Sequence, residues 1–311
     1  MQLRPLGKTG VRVSALGLGA ASLGGIYGDY DEAQGIAAVH RALDLGINVF
    51  DSSPYYGNWR AETMLGRALR GIPRERYVLM TKCGRYGADA FDFAPARLQE
   101  SLERSLELLG TDHLDVLQLH DVEFGDLDRI LAESVPALHA MKASGKVRFV
   151  GITGLPLRNF RRAIARGAKL DTCLSYCHAT LFDNTLVDLL PELAQHGIGV
   201  INASPTGMGL LSSHGTPPWH PAPEDVKQLC RRAAEHCRKH GVEIAELAMQ
   251  FSCSLPGIAT TLCGTASVQE VEANVRAIAR PIDATLLGEV RTMLLPIKNR
   301  TWIQGRPENN A

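Results

Sequence analysis

Tyr77-Val78-Leu79-Met80-Thr81-Lys82 is an apolar run of strand length that stops on a lysine. The apolar run before it, Ile47-Asn48-Val49-Phe50, stops on Asp51, and the one after it, Leu114-Asp115-Val116-Leu117-Gln118-Leu119, stops on His120. Between these runs, residues 61–69 and 95–109 place apolar side chains at helical spacing. Near-continuous apolar strands joined by amphipathic helices predict a parallel sheet covered on its outer face. In a (β/α)8 barrel the groups that do chemistry sit at the C-terminal ends of successive strands. Asp51, Lys82 and His120 are therefore expected to meet at one mouth. Tyr56 should join them from the loop Ser52-Ser53-Pro54-Tyr55-Tyr56-Gly57 that follows the Asp51 strand.

The alternation extends outward in both directions. Residues 3–6 and 11–13 flank Gly7-Lys8-Thr9-Gly10 and read as a β-hairpin. Strands follow at 15–19, 47–50, 77–81, 114–119, 147–152, 172–176, 199–202 and 258–263. The helices after them are read at 31–45, 61–69, 95–109, 127–143, 157–165, 183–196, 224–240 and 268–279. Eight such units close an α/β (β/α)8 TIM barrel, with the hairpin at its N-terminus and an extra C-terminal helix at 286–295. Asp31 and Asp183 are candidate N-caps, Pro95 suits a first helical turn, and Gly110, Gly145, Gly197 and Gly241 read as helix stops. Residues 212–223, rich in proline, read as an irregular insertion, and the polar tail 298–311 is expected to fold back over the barrel mouth. No linker divides the chain, so residues 1–311 are read as one barrel domain.

Composition narrows the function classes. In 311 residues Lys+Arg and Asp+Glu both total 33, so no basic excess points to nucleic acid or an anionic membrane. No apolar stretch reaches membrane-spanning length and residues 1–10 lack a secretory core, so the cytoplasm is the expected compartment. The seven cysteines are odd in number and scattered, as buried reduced thiols are. Cys173-x-x-x-Cys177-His178 reads as a strand end rather than half of a metal site, and no metal is expected. The expected partner is a small molecule, bound by a monomer or a small homo-oligomer.

Each polar strand end also has a plain structural reading. Lys82 alone is as readily a snorkelling cation, Tyr56 a packing residue with a wet hydroxyl, and His120 a satisfied barrel histidine. Together they make a proton-transfer site. A buried Lys–Asp pair is poor evidence for stability, because desolvation offsets much of its attraction. A phenol beside a lysine cation is expected to be drawn below its ordinary pKa and to exchange a proton with an alcohol or carbonyl.

The segment Asp51-Ser52-Ser53-Pro54-Tyr55-Tyr56-Gly57, followed by Glu62 and Leu65-Gly66, resembles the aldo-keto reductase signature, as do Thr81-Lys82 and Leu119-His120-Asp121. The resemblance spans essentially the whole chain and implies a catalytic tetrad of Asp51, Tyr56, Lys82 and His120. Longer strings, including Lys82-Cys83-Gly84-Arg85-Tyr86, His120-Asp121-Val122-Glu123-Phe124-Gly125 and Pro218-Trp219-His220-Pro221-Ala222, resemble the L-galactose dehydrogenase branch of that family. This implies oxidation of the anomeric (C1) hydroxyl of L-galactose to L-galactono-lactone. A related aldose dehydrogenase acting on L-fucose or a similar sugar, a carbonyl reductase, and a cofactor-sensing interaction subunit are the alternatives.

The resemblance also implies a nicotinamide dinucleotide. The Gly-rich loop Ala203-Ser204-Pro205-Thr206-Gly207-Met208-Gly209-Leu210 lets backbone N–H groups approach a phosphate, with Ser204, Pro205, Thr206, Gly207 and Gly209 as candidate contacts. The segment from Gly264 to Asn274 opens a helix and resembles the family's adenosine-end motif, with Gly264, Ser267, Glu270 and Asn274 as candidates. Relatives using NADP place Lys or Arg there; neutral Ala266 and Ser267 and acidic Glu270 point to NAD. Thr153 and Tyr176 match positions near the nicotinamide, Tyr176 standing where many relatives have a glutamine. Gly17-Leu18-Gly19 begins like a dinucleotide fingerprint, but Ser22 replaces its third glycine; it reads as the first barrel strand, with Gly19 and Ala20 near cofactor.

Overall fold

The apolar runs form the staves of a closed parallel barrel. The protein is described over residues 1–310 by a computed structural model. Strands β1 (Leu3–Pro5) and β2 (Arg12–Ser14) make the antiparallel hairpin. The barrel follows as β3 (Leu16–Gly19), β4 (Val49–Asp51), β5 (Val78–Cys83), β6 (Leu114–Leu119), β7 (Val147–Gly154), β8 (Thr172–Tyr176), β9 (Gly199–Ala203) and β10 (Thr260–Gly264). They lie side by side in chain order, and β10 pairs back onto β3.

Side chains alternate between the two faces of a strand, and this places the site. Val49, Val78, Met80 and Val116 face the barrel interior, where Leu6 and Val13 of the hairpin plug the floor. Phe50, Leu79 and Leu117 face the helices. Two residues beyond an inward-facing valine or methionine, the next inward positions are Asp51, Lys82 and, after Gln118, His120. The same alternation that packs the barrel therefore aims these polar groups into its mouth.

The helices are α1 (Glu32–Asp44), α2 (Arg60–Leu69), α3 (Pro95–Leu109), α4 (Leu127–Arg129), α5 (Val135–Ala143), α6 (Leu157–Ala165), α7 (Leu190–Gln195), α8 (Glu224–Lys239), α9 (Ile244–Ser254), α10 (Val268–Ala279) and α11 (Ala284–Met293). Asp31 caps α1 by accepting from the Gln34 N–H at 2.9 Å, and Pro95 opens α3. Gly110, Gly145, Gly197 and Gly241 all adopt the left-handed conformation that a helix stop demands.

Three expectations need correction. The helix read at 127–143 is interrupted by a π-helical turn, Ile130–Ser134, just before Pro136, whose missing N–H and ring disturb regular helical bonding. Asp183 does not cap a long helix. Its carboxylate instead binds His178 and Thr185, and the segment breaks into a short 3-10 turn and α7. The helix at 224–240 is α8, but it packs outside the barrel wall against α11. The barrel helix after β9 is α9, which packs on β10 and α10. Ile244, Leu247, Ala248, Met249, Phe251 and Cys253 of α9 are all buried, so it lacks the polar stripe that reveals a surface helix.

The tail does fold back over the mouth. Asn309 donates through Nδ2 to the carbonyls of Glu123 and Gly125, both at 2.9 Å, and the Arg306 N–H donates to the Glu123 carbonyl. Among the described residues, no helix is long and apolar enough to cross a membrane.

Helix α2, which leads away from the Tyr56 loop, sits directly on α3 through Gly66: a Cβ there would lie 2.1 Å from the Leu108 carbonyl oxygen. Gly66→Ala is expected to force the two helices apart and to cost about 1–3 kcal/mol by overpacking. Denaturant titration of the variant checks this, and unchanged stability would show that the approach is not tight.

Candidate active site

The structure brings Asp51, Tyr56, Lys82 and His120 together. Lys82 Nζ lies 2.5 Å from Asp51 Oδ1, 2.7 Å from the Ser52 carbonyl and 3.3 Å from the Tyr56 hydroxyl. Lys82 is 1 % exposed and Asp51 2 %, so the pair is cut off from solvent. Burial alone would discharge the lysine, but Asp51 and Tyr56 raise its pKa and hold it as a cation. Burial raises Asp51, against the opposing pull of Lys82.

Tyr56 departs from the sequence-based expectation. Burial pushes its phenol above the ordinary value, and the Lys82 cation only partly opposes this. The lysine therefore moderates a penalty that the dry mouth imposes.

His120 packs edge-on to Tyr56, ring centroids 5.7 Å apart. Burial and the Lys82 and Arg85 cations push its pKa down to about 3, so the imidazole is neutral. Ser53 Oγ lies 2.8 Å from His120 Nδ1 and already accepts the Tyr55 N–H, so its own proton is free for Nδ1. With the hydroxyl donating to Nδ1, the ring proton lies on Nε2. Ser53 lies within the quoted Tyr56 loop, but only the fold reveals its contact with His120.

A second set of polar groups rims the mouth: Thr153 and Tyr176, expected near the nicotinamide, are joined there by Arg85 and Gln304, which the sequence did not single out. Arg85 pairs with Asp121 while its guanidinium lies over the rings of Tyr55, Phe91 and Phe124 at 3.9, 5.1 and 5.4 Å. Thr153 accepts the Asp121 N–H at 2.9 Å and donates to Oδ1, so it braces Asp121. Burial would raise the Asp121 pKa, but the Arg85 guanidinium paired with it takes it below the usual carboxylate range. The Tyr176 hydroxyl lies 2.7 Å from Gln304 Oε1, in the tail, and 3.2 Å from Glu123 Oε1. Arg85, Asp121, Thr153, Tyr176 and Gln304, with Tyr27, Trp219 and the tetrad, line a pocket of about 300 Å3. Gln304 is about as far from the tetrad in sequence as the chain allows, and no local pattern flags it.

The pocket opens into a cleft of about 600 Å3 lined by Gly19, Ser204, Pro205, Thr206, Gly209, Gly264, Glu270 and Asn274. Left-handed backbone at Ser204, Gly207, Met208 and Gly209 curls the loop after β9 around it. Gly207 itself accepts His220 Nε2 through its carbonyl and stands behind the cleft wall. Ala20 also stands behind it, its N–H donating to the Asp51 carbonyl. At the far end, Ser267 caps α10 by accepting the Glu270 N–H, and Thr265 donates to Glu270 at 2.5 Å. A long cleft with glycine-rich walls, a helix N-terminus at one end and a proton-transfer group at the other fits a nicotinamide dinucleotide.

The model of the Aldo/keto reductase family matches residues 15–294. The chain belongs to the aldo-keto reductase family. It is 46% identical to L-galactose dehydrogenase of Arabidopsis thaliana, over 99% of each chain. It is 34% identical to D-arabinose 1-dehydrogenase of Saccharomyces cerevisiae, over 84% of this chain and 81% of that one. Among solved structures, the holo form of an aldo-keto reductase from Bacillus halodurans covers 98% of this chain and 99% of its own, with a TM-score of 0.79 and 27% identity. The protein is thus an oxidoreductase of a family that uses nicotinamide cofactors.

Glu123 is fully buried and its pKa is pushed up to about 8, first by burial and then by Asp121. An unfolded chain ionises it near the ordinary 4.5. Because the fold retains that proton, the contribution of Glu123 to stability is greatest below 4.5 and is lost as pH rises toward about 8. Glu123→Gln cannot ionise, so its melting temperature relative to the native protein is expected to rise between about pH 5 and about pH 8. A constant difference across that range would contradict a buried neutral acid.

Proposed function

We propose that this protein is an NAD-dependent dehydrogenase that oxidises the anomeric hydroxyl of L-galactose to L-galactono-lactone. In this reading Tyr56 is the base that takes the hydroxyl proton. Lys82 stabilises the resulting phenolate, and Asp51 keeps Lys82 charged and aimed. The neutral His120 donates its Nε2 proton to the reacting oxygen and holds it beside Tyr56. When bound, NAD accepts the hydride that leaves C1. The buried pair excludes water from the exchange, so the proton passes between Tyr56 and the substrate oxygen rather than to solvent.

The cofactor choice rests chiefly on charge. The cavity at the α10 end, about 450 Å3, is lined by Asp29, Asp31 and Glu270 and by neutral residues, with no Lys or Arg among its lining residues. Carboxylates accept hydrogen bonds from ribose hydroxyls and repel a 2′-phosphate, which favours NAD over NADP.

The sugar assignment rests on the full-length likeness to a plant L-galactose dehydrogenase. The rim supports it. Asp121 offers carboxylate acceptors and Arg85 and Gln304 offer donors around a small pocket, and a site built to bond hydroxyls discriminates strongly against a sugar that misplaces one. Arg85 and Asp121 are charge-paired, so neither presents an uncompensated charge to a neutral substrate.

Initial rates of NADH formation with L-galactose, L-fucose, D-galactose and D-glucose at equal subsaturating concentration, with product identification, test this function. L-galactose is expected to lead in kcat/KM and to yield the lactone. NAD should exceed NADP, with Ala266→Arg plus Glu270→Gln narrowing the gap. Preference for a D-aldose, or equal use of both cofactors by the native protein, would overturn the corresponding half of the proposal.

A further inference from the structure

On the outer side of the barrel, α8 and α11 share a cluster that the oxidoreductase site does not use. His236 lies in the last turn of α8 and His240 caps its C-terminus, four residues on and therefore on the same face. Glu289, from the middle of α11, reaches across. One ligand atom from each of the three lies within 4.8 Å of the other two. His236 Nε2 stands 2.7 Å from Glu289 Oε2, and the two imidazole rings have centroids 4.6 Å apart.

We propose that His236, His240 and Glu289 bind a divalent transition-metal ion of the zinc class and that the ion clamps α11 to α8. Two features go beyond a simple His–Glu contact. His240 Nδ1 is engaged by the His236 carbonyl at 3.0 Å, which orients the ring and leaves Nε2 as its free donor atom. A carbonyl bonded to the other ring nitrogen is what fixes a metal-binding histidine in tautomer and direction. The pair His236–Glu289 is also pre-assembled across two helices, so an ion replaces a shared proton without first gathering its ligands. Bonds of about 2.0–2.2 Å from zinc to imidazole and carboxylate need donors a little over 3 Å apart, a rotamer-scale adjustment here.

The donor set selects the metal. Two imidazoles and one carboxylate suit zinc, cobalt, nickel or copper, whereas magnesium and calcium require oxygen donors. The Glu289 side chain is 45% exposed, so water completes the coordination. The consequence is mechanical. Helices α8 and α11 are the two additions outside the barrel wall, and the chain leaving α11 becomes the tail that carries Gln304 to the mouth. A clamp between them fixes the base of that tail.

The test uses full-length protein without an affinity tag. Calorimetric titration with ZnCl2 should show one saturable equivalent, CoCl2 should give the visible bands of a low-coordinate site, and zinc should raise the melting temperature. His240→Ala and His236→Ala should each weaken zinc at least about tenfold and remove the thermal shift, while MgCl2 does neither in the native protein. Absence of saturable binding would overturn the proposal. So would unchanged binding in the double variant His236→Ala/His240→Ala, which would place the ion elsewhere, for example on thiols. Neither histidine touches the mouth, so both variants should keep native turnover without added metal.

Discussion

The buried ion pair between Lys82 and Asp51 is the interaction on which the rest of the site depends. Two charges that are almost wholly shielded from water are costly, and their mutual attraction with a few added hydrogen bonds offsets that cost only in good geometry. The barrel supplies the geometry. Adjacent parallel strands set Asp51 level with Met80, so Lys82 stands one inward position higher and reaches down to it. Ser52 offers its carbonyl and Tyr56 its hydroxyl to the same ammonium. Remove the cation and the mouth holds a buried carboxylate and a buried phenol with nothing to balance either.

Much of this was legible in the sequence because strand alternation is a strict rule. Once an apolar run is recognised as a barrel stave, the residue that ends it points into the mouth, and Asp51, Lys82 and His120 follow. Tyr56 was legible because its loop is short and attached to one of those ends. What the sequence concealed obeys no such period. Helix α9 is apolar on nearly every side, so it carries no amphipathic signature, and α8, with a clear stripe, was mistaken for the barrel helix. Arg85, Asp121 and Gln304 converge from three distant segments, and their pairing exists only in space. The Tyr56 pKa was misjudged for a related reason: the charge of Lys82 can be read from a sequence, but the depth of burial that outweighs it cannot.

Around the proposed proton-transfer site, the rim and the tail add polar groups from distant parts of the fold. Glu123 stands at the centre: its backbone carbonyl receives Arg306 and Asn309, and its side chain receives the Leu155 N–H and meets Tyr176. A Cβ on Gly305 would fall 2.3 Å from the Glu123 carbonyl, so the tail lies flush against this loop. The tail thereby becomes part of the pocket wall through Gln304. The same barrel mouth, with a different tail, would offer different hydrogen bonds around an unchanged tetrad.

The pH dependence of sugar oxidation in a folded, NAD-binding Lys82→Met variant tests the central claim most directly. If Lys82 offsets the burial penalty on Tyr56, the rate of the native protein rises with pH as the phenol ionises. The variant should retain little activity, and its remaining rise should be displaced to more alkaline pH. A variant whose profile coincides with that of the native protein in position, whatever its absolute rate, would show that the lysine takes no part in moving the proton.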